Sequence, residues 1–272
     1  MIKSLIIALT TLLTSSRCFT TIRNGQQVLG GPDNEINIRP VVKEDLDDVV
    51  TTFLDAFGPG AIAQYTQFPD PSLRNYTHRC YLQLFEKDWA RFEANELTFA
   101  NVITVPRGPD EMESMRSKKV VSFAFWRWLE VKQERSSSFQ FQPFHPLALR
   151  HEGKCSDHLD TNTTREAQVI AYMDDIERKY YSNLTHTELY LNVIATHPDW
   201  DGHGFGAAQV EYGLGKAKEA GANVTLVATP AGHPLYASLG FEAVANVTMQ
   251  MFDGLGVLWL EYMRWNFEAE ST

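Results

Sequence analysis

ELYLNVIATHPDWDGHGFGAAQVEYGLGKAKEAG, residues 188–221, contains the patterns of a strand, a glycine-rich turn and a helix in direct succession. Leu189–Thr196 has the length and the branched side chains of a buried strand. Pro198 and the residue before it disfavour any continuation of that strand. Ala207–Ala220 then has the pattern of a helix, and Gly221 is the residue type that commonly ends one.

The turn between this strand and this helix predicts an anion site. It contains glycines at 202, 204 and 206, and glycine lets the backbone come close to a phosphate. The start of a helix adds free N–H groups and the positive end of its dipole. A loop without a ligand is one alternative. A dinucleotide-binding turn is another, but it would need an acidic residue at the end of the next strand, Val224–Thr229, which has none.

Two motifs in this region resemble the GNAT acetyltransferase superfamily, and within it the fungal enzymes that act on small molecules. Thr196–Pro198, followed by Gly204 and Gly206, is similar to the strand end and pyrophosphate loop of that superfamily. Tyr236–Phe241 is similar to its later Y-x-x-x-G-F helix. The likeness is specific over Glu188–Phe241 and only architectural elsewhere.

The resemblance implies an α/β (α+β) fold with a central, mixed, mostly antiparallel, twisted sheet flanked by helices. It also implies acetyl-CoA as the co-substrate and an amine, expected to be a small molecule, as the acceptor. A catalytically inactive acyl-CoA-binding or regulatory protein on the same fold is the alternative. Asp201 departs from the family pattern, which usually has Gln or Arg there, so we expect its carboxylate to face solvent.

Matched to the family motifs, the backbone of Ile194 and Thr196 is expected to contact the pantetheine and the acetyl carbonyl. The expected pyrophosphate contacts are Asp201, Gly202, His203, Gly204, Phe205 and Gly206.

Two side chains are the candidate catalytic groups. Tyr236 matches the tyrosine that protonates the leaving thiolate, and a phenol with a pKa of about 10 keeps its proton at neutral pH. The alternative is a ring that only packs against pantetheine. Glu188, at the start of the central strand, is the candidate base; the alternative is that it only caps the end of the strand. Asn192 and His197 lie on or beside the same strand, and for His197 we favour a structural role.

The composition limits the classes of molecule that we expect the protein to bind. The net charge of −10 argues against nucleic acid, because phosphate backbones are bound by clustered lysines and arginines. The irregular spacing of His145, His151 and His158, without paired cysteines, predicts no metal site. We expect one domain over residues 33–272, with an insertion at about 131–187, and the oligomeric state stays open.

Residues 1–32 are expected to form a signal-like or targeting segment outside that domain. The apolar run Leu5–Leu13 is too short to span a membrane and is similar to the core of a signal peptide, but a mitochondrial presequence or a wrongly assigned start also fits. Five N-x-S/T sequons favour the secretory route, with cytoplasmic or mitochondrial locations as alternatives. They are Asn75, Asn162, Asn183, Asn223 and Asn246. Cys80 and Cys155 could pair or stay free.

Elsewhere the periodicity predicts strands, helices and one long loop. The strands are Ile36–Val42, Leu97–Val105, Val120–Glu130, Glu242–Phe252 and Val257–Trp265, the last two joined as a hairpin. Helices are predicted from Lys43 to Phe57, over Tyr76–Glu93 and over Thr164–Tyr181. Ala61–Arg74 is predicted to be a loop.

Overall fold

The computed structural model describes residues 20–23, 26–29, 36–68, 70–94, 98–108, 117–130, 153–181 and 184–267. Their strands are β1 (Thr20–Arg23), β2 (Gln26–Leu29), β3 (Ile36–Pro40), β4 (Thr98–Pro106), β5 (Lys118–Leu129), β6 (Glu188–Thr196), β7 (Asn223–Ala228), β8 (Glu242–Asn246), β9 (Met249–Gln250), β10 (Val257–Leu258) and β11 (Glu261–Trp265). Their α-helices are α1 (Leu46–Phe57), α2 (Ala61–Thr66), α3 (Arg74–Glu93), α4 (Thr163–Tyr181), α5 (Phe205–Ala220) and α6 (His233–Ser238).

One sheet organises these elements. Its strand order is β1-β2-β3-β4-β5-β6-β7-β11-β8, and β9 and β10 form a separate pair. Every pair of neighbours in the large sheet is antiparallel except β6 and β7, which are parallel. The predicted fold class, a mixed and mostly antiparallel sheet flanked by helices, is confirmed.

Side chains that alternate along β5 belong to the two different faces of the sheet. Phe123 and Phe125 pack with α1 and α3 on one face, whereas Ala124 and Trp126 pack with α5 on the other. The contact with α5 is close, because a Cβ on Gly213 would overlap the indole ring of Trp126. The glycine therefore sets the distance at which α5 lies on the sheet.

One loop prediction was wrong, and the predicted C-terminal hairpin was right in its pairing but not in the continuity of its strands. Residues 61–74 are not a continuous loop, since they contain α2 and a short 3₁₀-helix, Pro71–Leu73. Helix α2 is stabilised by burial of Ala63, Tyr65 and Thr66, which a search for long periodic patterns does not detect. The last two strands are each interrupted, so that the predicted hairpin consists of the pairs β8–β11 and β9–β10.

The sheet also reaches into the N-terminal segment that we expected to lie outside the fold. The backbone of β2 pairs with β3, and β1 pairs with β2 in a register that brings Arg23 opposite Gln26. The sequence between the two strands is Asn24-Gly25, the dipeptide that most strongly favours a two-residue hairpin. Residues 1–19 lie outside the described residues, so the targeting segment itself stays a prediction.

Cys80 of α3 and Cys155 form a disulfide, which resolves the alternative left open by the sequence. Cys155 lies eight residues before α4, so the bond fixes the start of the segment that leads into that helix. The polypeptide from 131 to 152 lies outside the described residues. None of the helices in the described ranges is long and apolar enough to cross a membrane.

The described sequons differ in accessibility. Asn75 and Asn246 are exposed, whereas Asn162 and Asn223 are half-buried. The Asn223 amide is within hydrogen-bond distance of His186 (2.9 Å), and its oxygen accepts a bond from the N–H of Phe267 (2.8 Å). Asn183 lies outside the described residues.

Candidate active site

The central feature of the candidate site is the point where β6 and β7 separate. The two parallel strands pair from Glu188 with Asn223 to Leu191 with Leu226, and β6 then continues to Thr196 with β5 as its only neighbour among the described strands. At this point β6 also contains a bulge, because Val193 pairs with Phe125 and Leu191 pairs with Trp126, which leaves Asn192 as the extra residue.

The separation leaves main-chain groups of β6 facing the gap. His197 donates its N–H to the carbonyl of Val121 on β5, at 2.8 Å. In an antiparallel pair, successive residues direct their N–H groups to opposite sides. The N–H groups of Ile194 and Thr196 therefore point away from β5, towards the space that β7 has left.

The start of α5 lies at the same end of the gap. Gly204 has a φ of +78° and precedes the helix, and the first N–H bonded within it is that of Ala208, to the carbonyl of Gly204. The N–H groups of Phe205, Gly206 and Ala207 consequently have no partner inside the helix. Gly206 is also closely packed, since a Cβ there would lie 3.2 Å from Leu235 Cδ2.

An open cavity of about 930 Å³ connects these groups. It extends along β6 from Tyr190 to Thr196, and is bounded by the turn from Trp200 to Ala207, by the segment from Thr229 to Tyr236, and by the ends of α1, α2 and α4. Most of its lining side chains are apolar. Among the described residues, its charged side chains are two carboxylates, those of Glu177 and Asp201.

Tyr236 lines this cavity and is buried. Burial raises the pKa of its phenol well above the usual value, so the hydroxyl is protonated at neutral pH. Its ring packs against Phe241 and against Gly232, where a Cβ would lie 2.8 Å from the ring carbon Cε2. No hydrogen-bond partner for the hydroxyl exists among the described residues, which leaves its proton available to a molecule in the cavity.

Glu188 lies elsewhere. Its side chain is fully buried, and one carboxylate oxygen is 2.7 Å from the Arg264 guanidinium and 3.2 Å from His186 Nε2. It is not among the residues that line the cavity. Glu188 is therefore a buried ion-pair partner that joins β6 to β11, and its role as a base stays a prediction.

Of the expected phosphate-loop residues, all but His203 line the cavity. The His203 ring packs against Trp200 and Phe205, with Nδ1 at 3.1 Å from two backbone carbonyls of the turn. The Asp201 side chain is exposed, as expected. His197 contacts Asp55 at 3.2 Å and accepts a bond from the N–H of Asp199, in keeping with a structural role.

Sequence reasoning missed Glu177 of α4. Its buried carboxylate lines the cavity, and one of its oxygens has no hydrogen-bond partner. Burial raises its pKa to about 7, and the nearest guanidinium nitrogen, of Arg127, is 3.6 Å away. Burial also lowers the pKa of Arg127, so for both groups the loss of solvation outweighs their attraction across this distance. The apolar stripe of α4 predicted a helix, but only the tertiary structure shows that a carboxylate on it faces the cavity.

The types of polar group at this site match those that acetyl-CoA presents. Backbone N–H groups at a helix start suit a diphosphate, and the N–H groups along an unpaired strand suit the amides of pantetheine. No group of three or more side chains that could hold a metal ion occurs among the residues that the structure describes.

No protein-family model matches the chain, and no curated protein sequence matches it. The solved structures that resemble it include acetyltransferases. One is a Corynebacterium glutamicum protein described as histone acetyltransferase HPA2 and related acetyltransferase, with 16% identity, 87% of this chain and 99% of that chain covered, and a TM-score of 0.49. A Drosophila melanogaster polyamine N-acetyltransferase has 12% identity, 85% and 99% coverage, and a TM-score of 0.49.

A Sinorhizobium meliloti phosphinothricin acetyltransferase of the GNAT superfamily, solved with acetyl-CoA, has 14% identity, 87% and 91% coverage, and a TM-score of 0.48. At these identities and TM-scores the likeness is one of architecture. The functional argument therefore rests on the site itself.

Proposed function

We propose that the protein is an acetyl-CoA-dependent N-acetyltransferase that transfers an acetyl group to the amine of a small molecule. The observation that carries the proposal is the separation of β6 from β7 beside the start of α5. It places two sets of unpaired N–H groups along one cavity, as the long and polar acetyl-CoA molecule requires. The narrower resemblance, to fungal enzymes, has only the sequence motifs to support it.

Each part of the reaction has a candidate group on this chain. The diphosphate would accept hydrogen bonds from the backbone at the start of α5, and the pantetheine would lie along Ile194 and Thr196. The N–H groups beside the thioester would stabilise negative charge on the carbonyl oxygen as the amine attacks. The Tyr236 hydroxyl would give its proton to the departing sulfur.

Calorimetric titration with acetyl-CoA tests this proposal on the variants Gly204→Glu and Gly254→Glu. Both glycines have positive φ, +78° and +67°, and neither has an atom within 4 Å of an added Cβ. The two variants therefore bear similar backbone strain and the same new charge, but only Gly204 lines the cavity. We expect Gly204→Glu to abolish binding, because a side chain and a carboxylate would occupy the phosphate position. Gly254→Glu should bind as wild type.

Unchanged affinity in Gly204→Glu, or no binding of acetyl-CoA to wild type, would contradict the proposal. A non-catalytic acyl-CoA-binding protein is separated from an enzyme by a second measurement. Release of free CoA thiol in the presence of amines reports turnover, whereas a binder gives only the calorimetric signal.

A further inference from the structure

The charged groups of the cavity are arranged in a way that selects an acceptor. Its lining contains no arginine, lysine or histidine among the described residues, and its two carboxylates, of Asp201 and Glu177, lie at different places along β6. Asp201 belongs to the turn that follows β6. Glu177 faces the other end, beside Tyr190, because Arg127 lies 3.6 Å from the Glu177 carboxylate and also lies over the Tyr190 ring, 5.5 Å from its centroid.

The distance between these ends follows from the strand itself. Thr196 lies six positions after Tyr190, and at about 3.3 Å per position the two ends of this part of β6 are roughly 20 Å apart. Acetyl-CoA that enters at the turn and lies along Ile194 and Thr196 leaves the Glu177 end for a second molecule. That end is lined by apolar side chains from three parts of the chain that belong to the same core cluster as Tyr190: Ile62, Met173, Leu258 and Leu260.

We propose that the acceptor is a hydrophobic primary monoamine, an alkylamine or arylalkylamine without a carboxylate, which binds its ammonium to Glu177 and its hydrocarbon to this apolar surface. The inference rests on the proposed function and names the substrate class of that same site. A buried carboxylate oxygen without a hydrogen-bond partner is a position where an ammonium N–H can donate. An amino acid is disfavoured because its carboxylate would meet no cation in the cavity. A diamine is disfavoured because its second ammonium would enter apolar surroundings.

The same carboxylate is placed to remove the proton that blocks attack. The ammonium transfers one proton to Glu177, and the neutral nitrogen then attacks the thioester carbonyl carbon. The C–N bond forms, the C–S bond breaks, and the sulfur takes a proton from Tyr236. The nitrogen loses its second proton as the intermediate collapses, which restores the tyrosine through solvent, and Glu177 releases its proton to water. The overall products are amide, free CoA thiol and one proton.

The pH dependence of this step depends on the groups that face Glu177. They are Arg127 on β5, Tyr190 on β6 and Asp174 on α4 itself. Because Glu177 must be ionised to accept a proton and its pKa is raised to about 7, kcat/KM should rise with pH up to that region. This rise of kcat/KM with pH should be absent in a variant without this carboxylate.

The test compares matched acceptors on the full chain. With acetyl-CoA as donor, 2-phenylethylamine should be acetylated with a kcat/KM at least about a hundredfold above that of phenylalanine, which differs by one carboxylate, and hexylamine should exceed 1,6-diaminohexane. Glu177→Gln should lower kcat/KM for 2-phenylethylamine by about a hundredfold or more. It should also remove the calorimetric binding of 2-phenylethylamine measured without acetyl-CoA. Glu166→Gln, which changes another buried glutamate on the same helix away from the cavity, should leave both unchanged.

The outcomes separate the two proposals. If wild type does not bind acetyl-CoA, the proposed function fails. If it binds and turns over, but phenylalanine reacts as well as 2-phenylethylamine, the substrate class is wrong. If Glu177→Gln retains both amine binding and the rise of kcat/KM with pH, Glu177 is not the amine-binding group. If the Glu177→Gln variant does not fold, Glu177→Asp takes its place. It should keep the rise of kcat/KM with pH but raise KM for the amine.

Discussion

At the scale of single residues, Tyr236 is where the proposed chemistry is most open to test. Gly232 supports one side of the ring and Phe241 another, so the ring position does not depend on the hydroxyl. Tyr236→Phe should therefore preserve packing and remove only the proton donor. If the phenol protonates the leaving thiolate, kcat should fall by about a hundredfold while the affinity for acetyl-CoA stays unchanged.

Steady-state kinetics with saturating amine distinguishes this role from the others. A tyrosine that mainly binds the co-substrate predicts weaker acetyl-CoA binding with normal turnover at saturation. A kcat within about twofold of wild type would end the general-acid assignment, because that change is only ~0.4 kcal/mol of barrier.

A second prediction concerns the effect of Glu177 on the free energy of unfolding rather than on catalysis. Its pKa is raised from 4.5 to about 7 on folding, so the folded protein binds this proton more tightly than the unfolded chain. The resulting stabilisation is fully present below pH 4.5 and is lost as the pH rises through about 7. Glu177→Gln removes this dependence. Between pH 5 and pH 8 the variant should gain stability relative to wild type, on the order of 2 kcal/mol.

Chemical denaturation of both proteins at several pH values measures that difference. Arg127 loses its carboxylate partner in the variant, which adds a penalty, but a guanidinium keeps its charge in proteins, so the penalty hardly changes the slope. Two parallel stability curves would show that Glu177 titrates in the folded protein as it does in the unfolded chain.

At the scale of elements, the packing of α5 on the sheet determines the geometry of the site, because this helix supplies the N–H groups at its start. Gly213→Ala tests the packing. An alanine normally stabilises a helix interior by roughly 1 kcal/mol relative to glycine, but here the methyl group would overlap the Trp126 ring. Overpacking of this kind costs about 1–3 kcal/mol, and we expect a net loss of stability and weaker acetyl-CoA binding.

Gly215→Ala is the matched control. It lies two residues further along α5, about 200° around the helix axis, and should be neutral or slightly stabilising. Thermal unfolding of both variants gives the comparison. Equal melting temperatures would show that the sheet moves to accommodate the methyl group and that Gly213 does not set the position of the helix.

Elements with a long pattern of their own were predictable from the sequence, and those that depend on distant partners were not. Helices α1, α3, α4 and α5 and the central strands lie within a few residues of their predicted bounds. Helix α2 was missed because six residues carry too little periodicity. The bulge at Asn192 was missed because it is defined only by pairing with β5. The glycine loop and Tyr236 were predictable as parts of contiguous motifs, whereas the cavity position of Glu177 results from the packing of α4 against a strand far away in sequence.

At the scale of the whole molecule, the Cys80–Cys155 disulfide links α3 to the segment that leads into α4, the helix of Glu177. It closes a loop with a sequence separation of 75 residues. By the loop-entropy relation such a bond stabilises the folded state by up to about 4 kcal/mol. The double variant Cys80→Ser/Cys155→Ser should therefore melt roughly 10 °C below wild type.

Dithiothreitol provides the control for this last prediction. It should lower the melting temperature of wild type towards that of the double variant and leave the double variant itself unchanged. Because the bond lies before α4 and away from the turn at 201–206, acetyl-CoA affinity should be retained at temperatures where both proteins are folded, while KM for the amine should rise. The contrary result is a wild-type melting temperature that does not respond to the reductant, together with a double variant of normal stability. It would show that these cysteines do not stabilise the folded state.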